Sequence, residues 1–125
     1  MLTLEARFPQ QVPIEAYGNG GFRFAGMSHI GSLLCLPSGV FGWDASDVAA
    51  LTPDHFARVF AQASGIGFLL LGVGRTVAMP SPAIRKAFSD ANVGLEVMDT
   101  GAAARTYNVL LAEGRPLAAA LIAVE

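Results

Sequence analysis

Two glycine-bearing turns hold the residues best suited to chemistry. Gly72-Val73-Gly74-Arg75-Thr76 leaves a continuously apolar run, and Asp99-Thr100-Gly101 opens a helical stripe. Glycine amides and helix N-termini attract anions, and Arg75 would add a guanidinium. Gly72, Gly74, Arg75, Thr76, Asp99, Thr100 and Gly101 therefore form a candidate crevice for a small anion or nucleotide. The plainer reading is a pair of tight turns. A dinucleotide fingerprint needs a third glycine, a P-loop needs Gly-Lys-Ser/Thr, and neither is present. Met79-Pro80-Ser81-Pro82 also intervenes before the next helix.

The other reactive side chains are dispersed. His29 and His55 fall in different elements, His29 in an uncharged stretch before a strand and His55 on the solvent side of a first helical turn. Many serines are present, but no Gly-x-Ser-x-Gly nucleophile elbow. No carboxylate pair or metal cage stands out; Asp44 and Asp47 read as turn and cap residues. Cys35, the only cysteine, sits among leucines as a small buried hydrophobe and excludes a disulfide framework and cysteine-rich zinc. The expectation is no catalytic centre, no metal and no cofactor. Trp43, Arg105 and Asn108 form a candidate partner surface instead. Arg105 and Asn108 share a helix face three residues apart, and tryptophan is common at interface hot spots.

These positions need elements to hold them. Residues 14–17 and 22–24 flank Gly18-Asn19-Gly20-Gly21, and Asn-Gly supplies the positive φ angles of a hairpin turn. Strands follow at 32–36 and 40–43. Three helices come next. Thr52-Pro53 opens the first, with Phe56, Val59, Phe60 and Ala63 on one face. Ser81-Pro82 opens the second, with Ile84, Ala87, Phe88 and Ala91 on its stripe. The third runs from Thr100 to a glycine cap at Gly114, with Ala103, Tyr107, Leu110 and Leu111 inward. Apolar strands at 68–73, 95–98 and 117–124 separate the helices, so crossover units and a parallel segment of sheet are expected. The prediction is one α/β domain spanning 1–125.

Composition sets the outer limits. Apolar residues are 53% of the chain and charged residues 14%, against about 25% in ordinary domains. That points to elements covered on both faces or to an apolar patch for a partner. A net charge of −2, with only Arg85 and Lys86 adjacent among eight basic residues, argues against nucleic acid. Residues 24–43 are free of charge but carry too many glycines for a membrane span. Met1-Leu2-Thr3-Leu4-Glu5 has no signal-peptide pattern, so a cytoplasmic protein is expected. Self-association through an apolar edge remains a third class of behaviour, which light scattering reads directly.

Three segments together resemble a known family. They are Tyr17-Gly18-Asn19-Gly20-Gly21-Phe22-Arg23-Phe24 running into Gly31-Ser32-Leu33-Leu34-Cys35-Leu36-Pro37 and Trp43; Leu69-Leu70-Leu71-Gly72-Val73-Gly74; and Met98-Asp99-Thr100 through Ala104-Arg105-Thr106-Tyr107-Asn108-Val109-Leu110. Their order is similar to that in the small α/β family of formerly unknown function that includes mitochondrial complex I assembly factor 3 and the adipogenesis-associated domain protein. The resemblance implies a three-layer fold around a mixed, mostly parallel five-stranded sheet with an N-terminal hairpin, the last strand antiparallel to the others. It implies no established enzyme activity or cofactor, and a protein partner such as a membrane-complex subunit. The family pattern has Gly-Thr-Gly after the central strand. Val73 replaces that threonine and removes a hydroxyl from the crevice. The absence of a transit peptide suits a bacterial member.

Overall fold

The computed structural model describes residues 7–125; the expectation placed on Met1 to Glu5 lies outside them. A meander comes first: β1 (Ala16–Gly18), β2 (Gly21–Phe24) and β3 (Met27–Ile30), antiparallel throughout. Asn19 (φ 53°) and Gly20 (φ 79°) make the first turn, as their chemistry predicts. Ala25 (φ 49°) and Gly26 (φ 74°) make the second. The segment containing His29 is therefore itself a strand, and the predicted hairpin is two-thirds of a three-stranded sheet.

The main sheet contains β4 (Ser32–Leu36), β5 (Gly39–Trp43), β6 (Phe68–Gly72), β7 (Gly94–Met98) and β8 (Leu117–Leu121), in the order β5-β4-β8-β6-β7. β8 pairs parallel with β6, and β7 does the same on the other side of β6. β4 is antiparallel to both β5 and β8. Four strands thus share one direction, and the odd strand is β4. This corrects the expectation that the last strand opposes the rest. Pro37 and Ser38 link β4 to β5 as a hairpin, which forces reversal. Helical crossovers join β6 to β7 and β7 to β8, which forces a shared direction.

The crossovers also build the layers. β6 to β7 steps outward and β7 to β8 steps back across β6, so two right-handed connections place their helices on opposite faces. α2 (Pro82–Asp90) buries Ile84 and Phe88 on one face, beside Phe56, Leu69, Leu71 and Trp43. α3 (Thr100–Ala112) buries Ala103, Ala104 and Tyr107 on the other, beside Phe22, Phe24, Leu33 and Leu70. Alternate residues of each strand enter alternate cores. Alanines at 118–120 in the central strand let the larger neighbours fill both layers.

The first predicted helix is broken. Pro53–Phe56 is a 3-10 turn, α1 (Ala57–Phe60) is one α turn, and Ala63–Gly65 is 3-10 again. The Trp43 indole N–H donates to the His55 carbonyl at 2.8 Å. A continuous helix would use that carbonyl for the amide four residues on. Sequence periodicity cannot see this cross-chain donor.

Candidate functional site

The carboxyl ends of β6, β7 and β8 meet at Thr100, which is fully buried. Its hydroxyl accepts the Gly74 N–H at 2.9 Å and donates to the Ile122 carbonyl at 2.7 Å. Its own N–H donates to the Gly74 carbonyl at 2.8 Å. A Cβ on Gly72 would stand 2.9 Å from the Thr100 Cα, so glycine there permits this approach. The residues expected to form a crevice are mostly brought together, but as a knot that ties strand ends to α3.

Little remains for an anion. The Asp99 carboxylate accepts the Ala102 N–H at 2.8 Å, and the Asp99 carbonyl takes the Ala103 N–H. The positive end of α3 thus already faces a carboxylate of its own chain. Arg75 donates to the Glu125 carbonyl, and Thr76 is exposed on the loop beyond. Tyr17, Gly74, Arg75, Asp99 and Gly101 surround a notch of about 150 Å³, below the ~300 Å³ at which ligand pockets usually begin. Tyr17 was not foreseen there. Its phenol lies directly on Gly101, where any Cβ would collide with it, and Arg105 donates to its hydroxyl at 3.4 Å.

Of the three residues expected on a partner surface, Arg105 and Asn108 line one hollow beside Ile14 and Tyr17, and Trp43 lies apart from them. Asn108 accepts the Ile14 N–H and donates to the Ile14 carbonyl, both at 2.8 Å. That amide clamps the N-terminal segment onto α3. Trp43 belongs to the core on the opposite face of the sheet and is 8% exposed. Arg105 is exposed beside Tyr17.

A roomy apolar hollow lies on the Trp43 side. It measures about 620 Å³, close to the 640 Å³ of a second hollow lined by Ala63, Gly67, Ala91 and Pro116, and runs between β5 and the 52–61 segment, with Gly42, Trp43, Ala57 and Ala61 on its walls and Asp44 and Asp54 among its polar groups. His55 is half-buried here, and its Nδ1 accepts the Thr52 N–H at 2.9 Å. It caps the turn from within and is less exposed than its sequence position suggests. Sequence reading marked Trp43 but missed the hollow, because small residues from two separated segments create it.

The remaining reactive groups are structural. Burial pushes the Cys35 thiol up to about 12, against the Tyr107 phenol. That phenol donates to the Val12 carbonyl at 2.7 Å, and burial raises its own pKa as well. His29 lies over Gly42, and its Nε2 contacts the Ser32 carbonyl at 3.1 Å. Desolvation holds its pKa below the ordinary value, with the nearby Arg7 adding to this and the Ser32 bond opposing it. A histidine depressed in the folded state binds fewer protons than in the unfolded one. Stability is therefore full above pH ~6.5 and falls as pH drops below it. Denaturant titrations at pH 7.5 and 5.5 should show that loss, and His29→Gln should reduce the slope.

Among the described residues, no His, Cys, Asp and Glu group could hold a metal, and no helix is long and apolar enough to cross a membrane. Residues 14–122 match the model of the family described as "Protein of unknown function (DUF498/DUF598)". The chain belongs to that family. An uncharacterised protein of Rhodobacter capsulatus is 37% identical over 98% of this chain and 93% of its own length. The mouse NADH dehydrogenase [ubiquinone] 1 alpha subcomplex assembly factor 3 is 31% identical over 95% of this chain. This chain spans 64% of that mouse protein's length. A crystal structure described as an outer membrane protein from Bartonella henselae superposes with a TM-score of 0.91 at 45% identity, covering 95% of this chain and 100% of that one.

Proposed function

We propose that this family member is a non-enzymatic binding protein of the bacterial cytoplasm that assists assembly of a respiratory or other membrane protein complex. The observation carrying this reading is the likeness to the mouse assembly factor across 95% of the chain. The chemistry at the strand ends favours it over a small-ligand protein or enzyme. There Thr100, Asp99 and the Gly74 amide are spent on one another, and the notch they leave is small. A protein partner also suits a chain with so few charges.

Deletion of the gene in its host tests the proposal. Native gels of membranes should show partly assembled complex I accumulating, with the mature complex restored by the wild-type gene. Fully assembled complex I in the deletion strain would remove the respiratory reading. A thermal-shift screen with nucleotides, phosphorylated metabolites and carboxylates should be flat; a shift abolished by Arg75→Ala would return the function to the crevice.

A further inference from the structure

We propose that the hollow beside Trp43 docks a basic amphipathic segment of the partner protein, an apolar anchor flanked by Lys or Arg. This rests on the protein-binding reading and names the surface it uses. The shape comes from small residues facing a large one. Ala57 and Ala61 on α1 and the following turn leave room beside Trp43, and the backbone of Gly42 on β5 completes the wall. At about 620 Å³ the space can accept one or two apolar side chains laid into a groove. Ala57 and Ala61 are exposed, so their methyl groups present apolar surface directly to an incoming chain.

The charge of the occupant follows from the polar groups. Asp44 and Asp54 belong to the hollow, and neither is in an ion pair among the described residues, whose two pairs are Arg23–Glu15 and Lys86–Asp90. His55 is turned toward its own chain, where its Nδ1 meets the Thr52 N–H. Among the described residues Arg58 is the one cation that lines the hollow, and its guanidinium lies over the Phe41 ring at 4.3 Å. Two carboxylates against one arginine make a net acidic site with an apolar floor. Such a site attracts a cationic, apolar chain and repels an anionic lipid surface.

Two synthetic helical peptides serve as probes, one of alternating Leu and Lys turns and its counterpart with Glu in place of Lys. Amide chemical shifts of the full-length protein report where each binds. The Lys peptide should move Gly42, Ala57, Ala61 and the Trp43 indole N–H, and the Glu peptide should not. Asp44→Lys with Asp54→Lys should weaken the Lys peptide about tenfold and admit the Glu peptide. Glu96→Lys with Glu113→Lys, remote in sequence from the hollow, controls for net charge and should change little. Ala61→Trp, at an exposed position, should block the Lys peptide without unfolding the chain. Shifts centred elsewhere, or equal binding of both peptides, would overturn the proposal. In the deletion strain, rescue by Ala61→Trp as complete as by wild type would also overturn it while leaving the assembly role intact. A deletion strain with no defect would remove the respiratory role and leave the peptide result to stand.

Discussion

Thr100→Val is expected to lower the melting temperature by roughly 10–20 °C. Valine keeps the volume but removes the hydroxyl that serves both the Gly74 N–H and the Ile122 carbonyl. Each backbone group left without a partner costs about 1–3 kcal/mol, giving about 2–6 kcal/mol for the two. For a chain of 125 residues, one kcal/mol corresponds to about 3–5 °C. The loss should be so large because one atom joins β6, β8 and the start of α3. Thr100→Ser keeps that atom and should retain most of the stability. Calorimetry of the three proteins decides the matter; equal melting points for the valine and serine variants would mean that the hydroxyl is not the fastening.

Gly21→Ala should be comparably damaging, for a steric reason. A Cβ at Gly21 would run into the His29 carbonyl oxygen and stand 3.1 Å from the Ile30 Cα. Those atoms are backbone and cannot rotate away. The ladder pairs Gly21 with Ile30, and the adjoining Gly31 N–H is held by the Gly20 carbonyl at 2.7 Å. Relief requires β2 and β3 to part, which would pull Phe22 and Phe24 from the core. We expect a cost of about 3 kcal/mol or more in denaturant unfolding. Gly65→Ala is the control. Nothing lies within 4 Å of its added Cβ, and a change within about 0.5 kcal/mol is expected. If the two variants unfold together, crowding at Gly21 is not what selects glycine.

Several parts of this structure were legible because their causes are local. Asn19 and Gly20 turn the chain through their own backbone preferences. Ile84 and Phe88 on α2, and Ala103 and Tyr107 on α3, repeat at helical spacing because one helix face must be covered. The apolar runs at 68–72 and 117–121 became strands buried on both faces, whereas β7 leaves Glu96 exposed. Glycine at 114 (φ 77°) ends α3 as its type suggests.

Other features depended on residues far apart in sequence. Periodicity carries no information about which strand opposes its neighbours; the hairpin at 37–38 and the two crossovers decided that. Asn108 looked like surface until Ile14, 94 residues away, took both ends of its amide. The first helix looked continuous until the Trp43 indole reached the His55 carbonyl.

The glycine turns at 72–74 and 99–101 show the division most clearly. By itself the sequence determined that both would lie at strand ends and that one would begin a helix. Only the tertiary structure decided that they would face each other with Thr100 between them. A buried hydroxyl, a carboxylate and three backbone amides must each find a partner, and here they find one another. Thr100 therefore fastens the two turns to each other. A hollow of about 620 Å³ forms elsewhere, where Ala57 and Ala61 come to lie beside Trp43.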